Sequence, residues 1–177
     1  PWVALDELLG STWRREDGTP LKIAGACLDS GGHHIQEAYN YADARIGKNV
    51  WAIKGRGGPA PVWPSRVTKS KALKGRVHMV GVDTAKDALR SRLAVRSPDL
   101  PGYVHFSGML EPEFFEQITV EKRQVKLDER GVPRRLWVCP AGARNESWDC
   151  LVYAFAAREA LVRIKRLRFD IPQIALQ

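Results

Sequence analysis

The sequence contains only three cysteines in 177 residues, and their positions form no metal-binding or disulfide pattern. Cys27, Cys139 and Cys150 are scattered along the chain, and no pair has CxxC spacing. A zinc ribbon needs closely spaced pairs and a disulfide framework needs more cysteines, so neither is expected. We interpret the three residues as reduced, partly buried thiols. The alternative is a zinc site that combines them with His33 or His34.

Long apolar runs and nucleotide-binding motifs are also missing. No apolar run approaches the roughly 18 residues that a membrane-spanning helix needs, and no basic-then-apolar signal opens the chain. We therefore expect a protein that is neither secreted nor embedded in a membrane. The GxxxxGK[ST] pattern of a P-loop occurs nowhere, which excludes ATP binding by that route.

Charge is biased toward the basic side. Lys and Arg number 28 against 20 Asp and Glu, so the formal net charge is +8 and the pI is about 9.7. This balance favours a polyanionic partner such as nucleic acid.

With 44% hydrophobic residues the chain can bury a core, so we expect one domain over residues 1–177. Its globular core is expected over 1–168, followed by a tail at 169–177.

Hydrophobic periodicity predicts alternating helices and strands. Apolar residues at helical spacing predict helices over residues 2–13, 35–46, 84–93, 111–119 and 145–167. Short apolar runs predict strands over residues 22–28, 50–53, 77–82 and 103–106. A turn at Gly131 predicts a hairpin between residues 120–127 and 134–138. Prolines and lysines predict an irregular basic loop over residues 59–74.

Two aspartates from distant segments are candidates for a metal site. Asp29 ends the first predicted strand, where open α/β sheets place their functional sites. Asp149 lies early in the last helix, beside the apolar Trp148. Such acids can bind Mg²⁺ or Mn²⁺, and phosphodiester cleavage uses metals about 3.5 to 4 Å apart. The alternatives are a turn or N-cap role for Asp29 and a favourable charge at a helix start for Asp149.

Further candidates surround these acids. Two carboxylates are few for two metals, so Asp83 at the end of the third strand is a reserve catalytic acid. Asp83 could equally cap the next helix together with Thr84. His33 and His34 follow the glycines after Asp29 and are candidates to orient water, contact a phosphate or bind metal. Their alternative is a purely structural role at the start of a helix.

Basic residues near the acids predict contacts with a nucleic-acid backbone. Lys54 and Arg56 leave the second strand among glycines, and the following loop adds Arg66, Lys69, Lys71 and Lys74. Such residues supply the salt-dependent share of DNA affinity. The alternative is a solvated basic loop. We expect the carboxylates of Asp29 and Asp149 to converge within reach of one cation, with Lys54 or Arg56 on the same face of the sheet.

Six short segments follow one another in a characteristic order. They are LDSGGHH (28–34), VWAIKGRGG (50–58), GVDTAKD (81–87), GYVHF (102–106), FFEQ (114–117) and RNESWDC (144–150). Together they resemble the lambda-type large terminase subunit of bacteriophages. The likeness extends from Trp2 to about Leu161, which is nearly the whole chain. Each segment is weak by itself, whereas the ordered set is specific.

The resemblance implies a fold and an activity. In that family a packaging ATPase precedes an RNase H-like nuclease that cuts concatemeric viral DNA. The implied fold is a mixed sheet flanked by helices, and the implied activity is two-metal hydrolysis of double-stranded DNA with Mg²⁺ or Mn²⁺. Asp29 and Asp149 are the implied metal ligands. The implied partners are the packaging ATPase domain, the small terminase subunit and the portal of the procapsid, in the cytoplasm of the infected bacterial host.

The sequence departs from the family pattern at its start. The family's first acid lies on a strand upstream of the helix that begins here at Trp2, and the ATPase region lies further upstream. We therefore expect the RNase H-like fold to lack its first strand, and the fragment to be weakly active or inactive alone. Two alternatives remain: another RNase H-like nuclease of the resolvase or transposase type, and a non-catalytic DNA-binding or docking module.

Overall fold

Helices and strands alternate along the chain in the computed structural model, which describes residues 1–69 and 75–168. The helices are α1 (Trp2–Gly10), α2 (Ile35–Ala44), α3 (Val82–Leu93), α4 (Pro112–Thr119) and α5 (Glu146–Lys165), with a 3₁₀ turn at Ile46–Lys48. The strands are β1 (Thr12–Arg14), β2 (Pro20–Lys22), β3 (Ala26–Asp29), β4 (Val50–Arg56), β5 (Thr68–Lys69), β6 (Arg76–Gly81), β7 (Lys122–Leu127) and β8 (Pro133–Val138).

A four-stranded mixed sheet in the order β3-β4-β6-β5 forms the centre of the fold. Strands β3, β4 and β6 are parallel, and β5 is antiparallel to β6. Asp29, the last residue of β3, is in register with Ile53 of β4. Two further hairpins, β1–β2 and β7–β8, lie outside this sheet. The predicted mixed sheet flanked by helices is therefore confirmed.

Opposite faces of the sheet pack against different helices. Successive side chains of a strand point to opposite faces. Ile53 of β4 accordingly packs in a core with Ala156 of α5, whereas its neighbour Ala52 packs with Tyr39 of α2. A third core joins α3, α4 and the start of α5 around the fully buried Trp148. Among the described helices, none is long and apolar enough to cross a membrane.

Several predicted boundaries are wrong. The first helix ends at Gly10 instead of continuing to residue 13, because residues 12–14 pair with β2. The predicted strand over 22–28 divides into β2 and β3. Residues 103–106 form no strand, and Phe106 packs edge-on against Phe114 and Phe115 instead. Tertiary pairing and packing overrode the local pattern in each case.

The junction between β6 and α3 also differs from the prediction. Helix α3 begins at Val82, so Asp83 lies in its first turn and Thr84 is not its cap. Gly81 ends the strand where the chain passes close to another segment: a Cβ there would lie 2.3 Å from Ala60 O. Residues 70–74 and 169–177, which include Lys71, Lys74 and the predicted tail, are outside the described residues.

Candidate active site

Asp29 lies at the exposed carboxyl end of β3 and is held by the turn that follows it. Its Oδ1 accepts a hydrogen bond from Gly31 N at 2.9 Å. The next residue, Ser30, is buried and donates from Oγ to Ile53 O at 2.7 Å. The first bond lies within the turn and the second ties the turn to β4, so the Asp29 carboxylate is held at the edge of the sheet.

Asp149 lies near the start of α5, where its side chain is 41% exposed. Burial raises the pKa of its carboxyl above the usual 3.8. The ammonium of Lys86, with Nζ 3.5 Å from Asp149 Oδ1, opposes that rise in pKa. The carboxylates of Glu121 and Asp29 raise the pKa further. Asp29 is thus one of the charges that act on the Asp149 carboxyl.

Both acids belong to the side of the sheet that α5 covers. Cys27 of β3 packs with the core beneath α5, and the pleat returns Asp29 to that same side two residues later. Asp149 is part of α5 itself. The edge formed by the carboxyl end of β3 thus faces the first turns of α5, which is the arrangement expected of a site at the end of parallel strands.

A buried ion pair lies next to Asp149, and the sequence pattern did not predict it. Lys86 Nζ lies 2.7 and 2.8 Å from the two oxygens of Glu121, and the side chains are only 9% and 3% exposed. Asn145 donates from Nδ2 to Glu121 Oε1 at 2.6 Å and lies 3.5 Å from Asp149 Oδ2. Lys86 and Asn145 therefore connect Glu121 to Asp149. Lys86 occurs in the segment GVDTAKD, but nothing local marks it as buried.

Tyr153 is a second site residue that the sequence analysis missed. Burial raises the pKa of its hydroxyl, and the carboxylates of Asp29 and Asp149 act in the same direction. The hydroxyl also lies close to Gly55, where a Cβ would be 3.2 Å from Tyr153 Oη. Tyr153 follows Asp149 by four residues, so both lie on one helix face. That spacing was a signal available in the sequence.

Asp83 is engaged in a structural contact. Its Oδ2 accepts a hydrogen bond from Gly58 N at 2.8 Å, which ties the glycine-rich turn after β4 to the first turn of α3. Gly58 has a φ of 78°, a conformation that favours glycine. The contact supports the structural interpretation of Asp83, although one of its oxygens does not take part in this bond.

The two histidines lie at the start of α2 and are exposed. His34 occupies the N-cap position without a capping hydrogen bond from its side chain. Its Nδ1 lies 3.7 Å from Glu37 Oε1, and the His34 side chain is 83% exposed. This pairing supports the structural alternative for His34. His33 follows the same turn and stays a prediction as an auxiliary residue.

The predicted basic cluster is spread over different parts of the sheet. Alternation along β4 places Lys54 and Arg56 on the side opposite to Ile53, so the expectation that they share the face of Asp29 is wrong. Lys69 pairs with Arg76, the first residue of β6, and therefore lies at the opposite end of the parallel strands from Asp29. Arg66 is exposed in the preceding loop. Their roles in DNA binding stay predictions.

The donor set suits one hard cation better than a zinc ion. The two carboxylates of Asp29 and Asp149 are oxygen ligands of the kind that Mg²⁺ and Mn²⁺ prefer. Within residues 1–69 and 75–168, no three His, Cys, Asp or Glu side chains form a ligand cluster. The three cysteines are free thiols, and burial raises the pKa of Cys27 to about 12, which disfavours the thiolate that zinc requires.

Comparison with known proteins identifies the family of the chain. Residues 1–168 match the family described as "Terminase large subunit gpA, endonuclease domain". The chain is 31% identical to the large terminase subunit of Escherichia phage lambda over 96% of its length, and 30% identical to that of Enterobacteria phage P21 over 98%. It spans 27% of the length of each relative, and no solved structure matches it. The chain therefore belongs to the endonuclease-domain family of the terminase large subunit gpA.

Proposed function

We propose that this chain is a divalent-metal-dependent endonuclease domain that cuts double-stranded DNA, with Asp29 and Asp149 as the metal-binding acids. The observation that supports this proposal best is that Asp29, at the carboxyl end of β3, and Asp149, near the start of α5, belong to the same side of the sheet, where the charge of Asp29 acts on Asp149. Burial and the nearby carboxylates raise the pKa of Asp149. A bound divalent cation would offset this unfavourable concentration of negative charge.

The surrounding side chains have distinct roles in this proposal. Gly31 N orients the Asp29 carboxylate through the 2.9 Å hydrogen bond. Lys86 and Asn145 hold Asp149 through their contacts with Glu121. Tyr153 is protonated at neutral pH, as a tyrosine with the ordinary pKa of about 10 already is, and its raised pKa keeps it so at higher pH; it would offer a neutral hydroxyl to the substrate. When bound, Mg²⁺ or Mn²⁺ supplies positive charge for the phosphate and activates water for its attack.

A two-metal centre requires more carboxylates than this pair. We propose that the remaining acid comes from a strand upstream of α1, as the resemblance to the terminase family implies. Strand β3 has a partner on one side only among the described strands, so its outer edge is where such a strand would pair. The complete sheet would then have the RNase H-like arrangement, and Asp83 would not be needed as a metal ligand.

The relatives named above, which are large terminase subunits of phages, support a proposal about the wider role. We propose that the domain cuts concatemeric viral DNA during genome packaging in the cytoplasm of the infected host. Its partners there would be the packaging ATPase domain, the small terminase subunit and the portal of the procapsid. Residues 1–177 would act as one nuclease domain, with residues 169–177 as a tail.

Plasmid cleavage tests the site assignment. Supercoiled DNA is incubated with Mn²⁺ or Mg²⁺ and either this chain or a version extended upstream by the family's first strand. We expect stronger nicking from the extended version, and loss of nicking in Asp29→Asn and Asp149→Asn. Asp99→Asn is the matched control, because Asp99 is an exposed aspartate in a loop remote in sequence from both acids. DNA binding is measured separately with Ca²⁺ in place of Mn²⁺.

The possible outcomes distinguish a wrong assignment of the metal-binding acids from a wrong function. Retained DNA binding with lost cleavage in both variants supports metal binding by Asp29 and Asp149. Cleavage by both variants at the rate of Asp99→Asn would refute the site assignment. Absence of metal-dependent cleavage in the extended protein, with duplex DNA still bound, would favour the second candidate function below.

The second candidate is a non-catalytic DNA-binding or docking module. One observation favours it: the ammonium of Lys86 already lies 3.5 Å from Asp149 and partly compensates its charge. In that case Asp149 would need no metal. A calorimetric titration with Mn²⁺ distinguishes the candidates, since the nuclease proposal requires metal binding that Asp149→Asn weakens.

A further inference from the structure

A basic hairpin projects beside the acidic site. Strands β7 and β8 pair from Lys122 opposite Val138 to Leu127 opposite Pro133. All residues of β7 and the first half of β8 are exposed. Residues 122–138 contain six basic side chains against two acidic ones, which are Asp128 and Glu129. The hairpin therefore has a net charge of +4, half of the +8 of the whole chain.

Most of these cations have no counter-ion among the residues that the structure describes. Arg123 pairs with Asp87, and Arg134 pairs with Asp128. In the described part of the chain, no carboxylate lies within ion-pair distance of the remaining four, which are Lys122, Lys126, Arg130 and Arg135. Lys126 also stands directly opposite Arg134 in the register, and like charges in that position destabilise a strand pair. Such uncompensated charge favours a polyanionic partner.

The root of the hairpin, which is formed by the paired residues Lys122 and Val138 and their neighbours, is held next to Asp149. Trp137 donates from Nε1 to Asp87 Oδ1 at 3.0 Å, and its ring lies 6.1 Å from that of Trp148. Glu121, the residue before β7, is bound by Lys86. The two ends of the hairpin therefore lie at the edge of the proposed nuclease site.

The tip of the hairpin is locally ordered. Asp128 Oδ1 accepts hydrogen bonds from Arg130 N at 3.0 Å and Val132 N at 2.9 Å. Gly131 supplies the positive φ of 74° that the turn requires. A two-stranded ribbon of this kind fits the major groove of B-DNA. Lys122 and Lys126 project from the same face of it, since they are separated by an even number of residues.

We propose that the β7–β8 hairpin binds the phosphate backbone of duplex DNA and guides it to the acidic site. Lys122 and Lys126 contact phosphates from one face of the ribbon, and Arg130 does so from the turn. The inference rests on the proposed nuclease function only in taking DNA as the substrate. It assigns DNA contact to a segment whose sequence pattern predicts no more than a hairpin.

A charge-matched pair of variants tests the proposal. Lys122→Ala/Lys126→Ala/Arg130→Ala removes three positive charges from the β7–β8 hairpin. Arg14→Ala/Arg15→Ala/Lys22→Ala removes three positive charges from the exposed β1–β2 hairpin. This hairpin precedes the start of β3, whereas Asp29 is the last residue of β3. Affinity for a fluorescent duplex is measured by anisotropy in EDTA over a range of salt concentrations, and thermal unfolding confirms that both variants are folded.

We expect the β7–β8 variant to lose about tenfold or more in affinity, and its salt dependence to fall by about one unit of slope per lost phosphate contact. The β1–β2 variant should bind within about twofold of the parent. Equal loss in the two variants would show a non-specific charge effect and overturn the proposal. Unchanged binding by the β7–β8 variant would also overturn it, in favour of an acidic protein partner. Because no metal is present, these results do not depend on whether Asp29 and Asp149 are catalytic.

Discussion

Lys86 and Glu121 form a buried ion pair, with Nζ 2.7 and 2.8 Å from the two carboxylate oxygens. Both residues come from segments that meet only in the folded protein, and the pair lies against Asp149. Burying two charges costs desolvation energy, which is recovered only when both partners are present. The pair therefore makes the position of Asp149 dependent on the joint packing of α3, α5 and the start of the β7–β8 hairpin.

Breaking this pair should destabilise the protein. We expect Lys86→Met to lower the free energy of unfolding by about 3 to 5 kcal/mol, because it leaves Glu121 buried and uncompensated. The double variant Lys86→Met/Glu121→Met should be more stable than Lys86→Met. Urea denaturation of the single and double variants measures both effects. A Lys86→Met protein as stable as the parent would contradict the prediction.

Tyr153→Phe should affect cleavage without affecting folding. The substitution removes only the hydroxyl that lies near Gly55 and is influenced by both acids. In the protein extended upstream by the family's first strand, we expect the single-turnover rate of DNA cleavage to fall by about tenfold or more, because the proposed hydrogen-bond donor to the substrate is lost. DNA affinity and thermal stability should stay at the level of the parent. A rate within about twofold of the parent would remove Tyr153 from the proposed site.

His78 should make the protein sensitive to acid. It is buried and stacks on Trp63 with ring centroids 4.5 Å apart. Burial lowers its pKa below the usual 6.5, and Arg76 adds to the effect. Protonation therefore favours the unfolded chain, so this contribution to stability is present above the unfolded pKa and is lost as pH falls through the folded pKa.

The variant His78→Phe tests this linkage, since a phenyl ring preserves the stacking on Trp63 but cannot be protonated. Urea denaturation is measured from about pH 7 to about pH 5, the range in which a histidine of the unfolded chain, with its usual pKa of about 6.5, becomes charged before the buried one does. We expect the parent to lose more stability over this range than His78→Phe. Parallel curves for the two proteins would show that His78 does not contribute to the pH dependence.

Gly81→Ala should be severely destabilising. A Cβ at this position would lie 2.3 Å from Ala60 O and 2.6 Å from Pro61 O, and backbone atoms cannot easily move away. We expect a loss of about 3 kcal/mol or more, measured by urea denaturation. Gly10→Ala is the matched control, because nothing lies within 4 Å of its added Cβ. Similar stability of the two variants would disprove the steric argument.

Periodicity and turn residues predicted much of the secondary structure correctly. The apolar spacing in α5 and the run from Val50 to Ile53 correspond to elements of the structure, as does the hairpin around Gly131. Family membership followed from short ordered segments such as RNESWDC. These features are local, so they can be recognised from neighbouring residues alone.

The sequence by itself thus determined the order of most elements, the family and the location of Asp29 at a strand end. Only the tertiary structure decided what surrounds the acids. Lys86 and Glu121 are 35 residues apart and pair because α3 packs beside the start of α5 and the root of the hairpin. The pleat of β4 places Lys54 on the face away from Asp29. Which residues point to that face is decided by the helix that covers each side of the sheet. Contacts between distant segments follow from packing of the whole core, and no local pattern encodes them.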